Sequence, residues 1–170
     1  MTDTLSDTAL DIIFRDARSY NGWLDQPVSE GEVRAIYELM KMGPTSANQQ
    51  PARLVWCHSQ DAKDRLAAHA SAGNTHKVKT APVCVIIGYD IDFHEELPWL
   101  FPHTDAKSWF AGDEDARIVS AKRNSALQGA YLMIAARALG LDCGPMSGVD
   151  LDGVTKEFFA NDPTVKADWI

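Results

Sequence analysis

The chain has only three cysteines, Cys57, Cys84 and Cys143, and no two of them stand as a CxxC pair. That number and spacing argue against a disulfide framework and offer no thiolate zinc motif. The three read as small buried hydrophobes in a reducing compartment. Basic residues are also scarce, with 16 Lys and Arg against 24 Asp and Glu, a formal net charge of -8. Neutralising phosphates takes a basic surface, so nucleic acid is not an expected partner. No apolar run approaches the length of a bilayer span. The opening MTDTLSDTALD has neither the basic start nor the apolar stretch of a signal peptide. A cytoplasmic protein without a membrane partner is the expectation.

Familiar catalytic fingerprints are missing as well. GxSxG, the P-loop and GxGxxG do not occur, so no motif points to an esterase, an NTPase or a Rossmann dehydrogenase. FHEELP begins like the zinc motif HExxH, but Pro98 takes the place of the second histidine, and no metal site is expected. His103 and Asp105 are close enough to pair, although an Asp that starts a helix beside a His is the plainer account. There is no internal repeat and no low-complexity segment.

What is present fits one globular domain over residues 1–170: 45% of the residues are hydrophobic and 24% charged. Leu10, Ile13, Phe14 and Ala17 fall at helical spacing and predict a helix from about Asp7 to Arg18. Ser29 and Glu32 form a capping box for a second helix carrying Val33, Ile36, Tyr37 and Met40, which Gly43-Pro44 ends. RLVWCHS, Arg53 to Ser59, reads as a strand, and Asp61 to Ala72 as a helix closed by Gly73. PVCVIIGYD, Pro82 to Asp90, is apolar on both faces and therefore central in its sheet. A long helix runs from about Ala116 to Leu139, with Leu127, Ala130, Tyr131, Ile134, Ala135 and Ala138 as a wide apolar face. Leu141 to Cys143 is a further strand candidate, Asp150 caps another helix, and TVKADWI reads as the approach to one more strand. Strands alternating with helices predict a three-layer mixed α/β or α+β domain.

Three polar clusters punctuate this pattern: RSYN, PTSANQQPAR and GPMSG. Arg18 and Ser19 offer a planar guanidinium fork and a hydroxyl to a phosphate. Asn48 and Gln50 carry amides that both donate and accept, as the edge of a heteroaromatic ring requires. The glycines and Pro145 of GPMSG let backbone N–H groups approach a ring closely. Turns and helix caps account for the same composition, and spacing alone leaves both readings open.

The motifs also carry a resemblance. MGPTSANQQPARLVW resembles the Pro-Ser-x-x-Asn-x-Gln-Pro-Trp segment of the FMN-dependent nitroreductase family, and ARSYNGW stands where that family starts its phosphate site. DARSYNGW, GPTSANQQPAR, LPWLFPHTDAKSWF and RALGLDCGPMSGVD, in that order, resemble one branch, the malonic semialdehyde reductases of the pyrimidine-utilisation (Rut) pathway. The resemblance implies an α+β fold, a nitroreductase-like α/β/α sandwich with a central mixed sheet, built as a homodimer with FMN at the interface. Arg18, Ser19 and Asn21 would then meet the phosphate end. Asn48, with Ser46 and Gln50, would reach the ring, and Pro145, Met146, Ser147 and Gly148 would line it.

The same resemblance implies that NADH or NADPH reduces the flavin, which then reduces 3-oxopropanoate to 3-hydroxypropanoate in a ping-pong cycle. Ser147 is the candidate catalytic donor to the carbonyl oxygen, and Arg53, Lys107 or Arg123 the candidate cation for the substrate carboxylate. A broad nitro- or quinone reductase and a flavin-binding remnant without turnover are the alternatives. The aromatic stretch from Phe93 to Phe110 reads equally as core or as a lid over the flavin. Ala52 stands in place of the family's Trp, and Ser147 where many relatives have Glu. Members of the family continue beyond the position of Ile170 with the rest of a core strand, a basic segment and a C-terminal arm, so a truncated domain is expected.

Overall fold

Three strands and seven α-helices carry the described part of the chain, residues 3–170 of a computed structural model. Strands β1 (Ala52–Cys57), β2 (Cys84–Asp90) and β3 (Val165–Trp169) form one sheet in the order β1-β2-β3. The strand that is apolar on both faces is indeed the central one. Both pairings are antiparallel. The mixed sheet expected from the sequence is therefore reduced, among the described residues, to an isolated parallel bridge between Ser19 and Cys143. Leu141 to Cys143 contributes that bridge and no strand. TVKADWI, by contrast, goes beyond an approach: Val165 to Trp169 already pairs with β2.

Alternation along the strands sends side chains to two layers. Cys57, Ile86, Val165 and Ala167 pack with Leu66 of α3 (Gln60–His69), Val78 of α4 (Ala72–Thr80) and Val154 of α7 (Leu151–Phe158). On the other face Leu54, Trp56, Val85 and Ile87 meet Ile36 and Met40 of α2 (Glu30–Met40) and Leu132, Ala135 and Ala136 of α6 (Glu114–Ala138). A register shift between Ile87 and Gly88 re-aims β3, so that Trp169 joins this second face although Val165 and Ala167 serve the first. These layers are the α+β sandwich that the element order predicts.

The caps follow the sequence closely. Ser29 Oγ accepts from Glu32 N while the Glu32 carboxylate accepts from Ser29 N at 2.7 Å, a complete capping box. Asp150 caps α7 by accepting from Gly153 N. Three expectations need correction. The first helix is only α1 (Asp7–Leu10), and Asp11–Arg15 widens into a π-helical turn that leaves Phe14 exposed. Arg15 draws that turn in, bonding Asp7 at 3.0 Å and Asp11 at 2.5 Å. Gly73 does not end α3; the extended backbone of Ala70 does, and Gly73 lies in the first turn of α4. On α6 the supposed apolar face is rotated, because Leu127 and Tyr131 are exposed while Asn124, Ser125 and Gln128 are buried. Among the described residues no helix is long and apolar enough to cross a membrane.

Candidate functional site

The stretch from Gly43 to Arg53 is not a plain loop, because α6 holds it residue by residue. Gly43 is set by contact: a Cβ there would lie 2.6 Å from the Tyr131 ring. Ser46 N donates to Asn124 Oδ1 at 2.8 Å, and the Gln49 amide, almost fully buried, donates to Ser46 O and Ser120 Oγ at 3.1 Å each. Gln128 Oε1 accepts from Ala52 N at 2.9 Å, while its Nε2 donates to Gln50 Oε1 at 2.6 Å. Ser120, Asn124 and Gln128 stand four residues apart and so share one face of the helix. That polar ladder was missed in the sequence, where the helix is read by its apolar face alone.

Held this way, the loop adopts backbone that side chains avoid. Ala47, Asn48 and Gln50 have φ of 50°, 49° and 43°. Asn tolerates the left-handed region, but Ala gains nothing there, and a strain of about 1–2 kcal/mol per residue is typical. Ala47→Gly is therefore expected to raise stability by up to about 1 kcal/mol, since glycine's own entropy cost offsets part of the relief. Urea denaturation measures this, and a destabilised variant would show that the Ala47 methyl is needed for packing. The conformation turns Asn48 toward the segment after β2. Its Nδ2 donates to Leu100 O at 2.9 Å and its Oδ1 accepts from Gln50 Nε2 at 2.8 Å. One N–H and one lone pair of the amide remain.

The other two clusters meet each other. Tyr20 N donates to Cys143 O at 3.1 Å beside the Ser19–Cys143 bridge, so RSYN and GPMSG form one junction. Gly144 is the pivot: an added Cβ would lie 2.4 Å from Tyr20 O and 2.7 Å from the Trp23 ring. Arg18 is exposed and spends one nitrogen on the carbonyls of Arg15 and Ala17, both at 2.8 Å. It has no carboxylate partner among the described residues. Asn21 is exposed on the following bend.

On the GPMSG side, the Met146 backbone is fully used, donating to Ile170 O at 2.7 Å and accepting from Ile170 N at 3.1 Å. Ser147 is exposed, and among the described residues only its carbonyl is engaged, by Val149 N. Gly148 O accepts from Ser71 N at 2.9 Å and from Asn74 Nδ2 at 3.1 Å. Asn74 in turn accepts from Lys77 Nζ at 3.2 Å. Asn74 and Lys77 thus join this junction, and the sequence reading missed them. Their signal was an Asn-x-x-Lys at helical spacing, which places both on one face.

Two cavities flank these loops. One of about 690 Å³ is lined by Tyr20, Trp23, Cys143, Gly144, Pro145 and Met146, among others. The other, of about 1340 Å³, is lined by Asn48, Gln50, Arg53, Trp99, Leu100 and Gln128, among others. Of the predicted site residues, Pro145 and Met146 border the first and Asn48 and Gln50 the second. Arg18, Ser19, Asn21, Ser46, Ser147 and Gly148 border neither.

The aromatic stretch is part core and part surface. Phe93 is fully buried and stacks edge-on with Phe110 at 5.0 Å, whereas Trp99 is 78% exposed and reaches the second cavity. The candidate cations divide too. Arg53 is paired with Asp90 at 2.6 Å and Lys107 with Glu95, while Arg123 lies exposed on α6 with no carboxylate partner among the described residues. Asp105 Oδ1 accepts from Ser108 N at 3.3 Å, one residue before the Ala106 cap of a short 3-10 turn, so it stands beside that turn and does not start a helix.

Comparison with known proteins places this architecture. Residues 15–165 match the profile of the nitroreductase family. A protein of Stenotrophomonas maltophilia (strain R551-3), provisionally named NADH dehydrogenase/NAD(P)H nitroreductase, is 56% identical over 160 residues, covering 94% of this chain and 82% of that protein. A similarly named protein of Xanthomonas oryzae pv. oryzae is 55% identical over 163 residues, covering 96% of this chain and 83% of that one. The fold matches a crystal structure of a nitroreductase-type protein from Exiguobacterium sibiricum in complex with FMN. There the TM-score is 0.83 at 23% identity, over 99% of this chain and 88% of that one.

Proposed function

The chain belongs to the nitroreductase family, and from that premise we propose that it is an FMN-dependent NAD(P)H oxidoreductase that reduces 3-oxopropanoate to 3-hydroxypropanoate. The observation that carries this reading is the junction of RSYN with GPMSG through the Tyr20–Cys143 bond, which sets phosphate-type donors beside a glycine-bearing loop. The donor set suits FMN. Arg18 has guanidinium N–H groups to spare, Ser19 and Asn21 adjoin it, and Asn48 keeps an N–H and a lone pair for a ring edge. Bound FMN supplies the two-electron chemistry that links NAD(P)H to an acceptor.

The residues of this chain would do the rest. Arg18, Ser19 and Asn21 take the phosphate end, and Asn48 takes the ring with Ser46 and Gln50 behind it. Pro145, Met146, Ser147 and Gly148 would line the ring. A carbonyl that is being reduced develops negative charge on oxygen, so a fixed donor aimed at it lowers the barrier. Met146 N–H is committed to Ile170, which leaves the Ser147 hydroxyl and the N–H groups of Ser147 and Gly148 for that task.

Asn48 and the GPMSG loop border different cavities of one protomer. A homodimer in which a second copy brings the missing half of the grip accounts for that division. The exposed Leu127 and Tyr131 of α6 supply an apolar face for the contact. Residues 1–170 then act as one nitroreductase-like domain, in the cytoplasm.

One observation favours a second reading, a broad nitro- or quinone reductase. Two of the three candidate cations for a substrate carboxylate are already neutralised by Asp90 and Glu95. The deciding measurement starts from protein refolded with FMN. Stoichiometric flavin absorption that bleaches with NADH or NADPH is expected, and colourless protein would leave a remnant without turnover. The ratio of kcat/KM for 3-oxopropanoate to that for a nitroaromatic or a quinone then separates the readings. A ratio above about ten is expected, and a ratio below one would assign the broad reductase.

A further inference from the structure

Two of the three cysteines face each other across the sheet. Cys57 ends β1, Cys84 opens β2, and the two are register partners. Their pairing type follows from the far end of the ladder, where Asp90 N donates to Pro51 O at 2.9 Å. Hydrogen-bonded and non-hydrogen-bonded pairs alternate along antiparallel strands, so counting from residues 51 and 90 makes Cys57 and Cys84 a hydrogen-bonded pair. Such pairs hold their Cα atoms about 5.5 Å apart, inside the span of roughly 4.4–6.8 Å that disulfides bridge. Both side chains point to the same layer, where they share one apolar cluster with Leu66, Val78 and Ala81. Both thiols are free.

We propose that Cys57 and Cys84 form a reversible dithiol–disulfide modification site closed by a peroxide. In that step both S–H bonds and the O–O bond of hydrogen peroxide break, and one S–S bond forms. Each sulfur gives up one electron, and the two thiol protons leave in two molecules of water. Cys84 is the entry point. It is 8% exposed against 1% for Cys57, and it borders the smaller cavity beside Pro82 and Val83.

The surroundings set the rate. Burial pushes the Cys57 thiol up to about 11, with Arg65 of α3 opposing, and Cys84 up to about 12. At Cys84 the neighbouring Cys57 adds to the rise, and Lys63 of α3 opposes it. From α4 the Val78 carbonyl accepts from Cys84 Sγ at 3.4 Å. The thiolate is the nucleophile, so the pair rests reduced at neutral pH and its closure accelerates about tenfold per pH unit until the thiol titrates. Hydrogen-bonded pairs keep their Cβ atoms near the long end of about 4.5–5.5 Å, whereas a disulfide sits near 3.8 Å. The bridge would pull the strands together, and strained bridges are the readily reduced ones.

The test uses the full chain treated with hydrogen peroxide at several pH values between about 7 and 9, then alkylated, digested without reduction and read by mass spectrometry. Expected is a cross-linked peptide pair containing Cys57 and Cys84, lighter by two hydrogens, formed about ten times faster per pH unit and reopened by dithiothreitol. It is expected in Cys143→Ser as in the native sequence, and not in Cys57→Ser. The Cys143→Ser variant leaves the core pair intact, so a folding defect of Cys57→Ser does not decide the matter. The proposal is overturned if Cys143→Ser, melting like the native chain, yields sulfinic acid at either residue without the bridge. A cross-link that forms only in denaturant, or only between chains, overturns it as well.

Discussion

Replacing Gly144 by alanine is expected to strip the protein of flavin and to cost about 2–3 kcal/mol of stability, at the upper end for overpacking. The reason is geometric. The new Cβ would stand 2.4 Å from Tyr20 O, a backbone atom, and 2.7 Å from the Trp23 ring. Neither neighbour can step aside cheaply. Tyr20 is tied to Cys143 through its own N–H at 3.1 Å, and Trp23 Nε1 donates to Lys77 O at 2.9 Å. The methyl therefore drives RSYN away from GPMSG and opens the junction on which the proposed phosphate and ring contacts both depend. Fluorimetric FMN titration beside a urea melt checks it. An alanine variant that binds FMN within about twofold of the native chain would show that the junction is not part of the grip.

Gln128→Leu is expected to be comparably damaging for a different reason. The leucine fills a similar volume, so packing is roughly kept, but it abandons two partners at once. Ala52 N–H loses its 2.9 Å acceptor and Gln50 Oε1 its 2.6 Å donor, in a place where Gln128 is 4% exposed. A stranded buried polar group costs about 1–3 kcal/mol, and because Ala52 and Gln50 are half-buried a total loss of about 1–3 kcal/mol is expected. Because Gln50 Nε2 also holds Asn48 Oδ1, the amide proposed to read the ring is freed as well. Chemical denaturation measures the first effect and flavin retention in the surviving folded fraction the second. A loss below about 0.5 kcal/mol would mean that water replaces both bonds, and that the ladder on α6 is not what holds the loop.

Much of the scaffold was legible because its causes are local. A strand apolar on both faces can only be central, and β2 is. A Ser followed three residues later by Glu satisfies orphan N–H groups within one turn, and Ser29 caps α2 as that pattern requires. The first helix misled because its second turn is π-helical, with Arg15 tied to Asp7 and Asp11, a feature that apolar spacing does not register. The α6 face misled more instructively. Leu127 and Tyr131 fit an apolar stripe, yet the helix turns Ser120, Asn124 and Gln128 inward, where they bond the strained loop at 46–52.

By itself the sequence determined the three strands that pair, which of them is central, the N-terminal caps of α2 and α7 and the motifs whose resemblance led to the family. All of these rest on contacts between near neighbours in the chain or on periodicity within one element. Only the tertiary structure decided which polar clusters meet. It joined RSYN to GPMSG, brought Asn74 and Lys77 to them, and set Asn48 beside another cavity. It also neutralised two of the candidate cations. A hydrogen bond or an ion pair between residues far apart in the chain leaves no period in the sequence. Its donor and acceptor find each other only when packing of the apolar layers has fixed where each loop emerges.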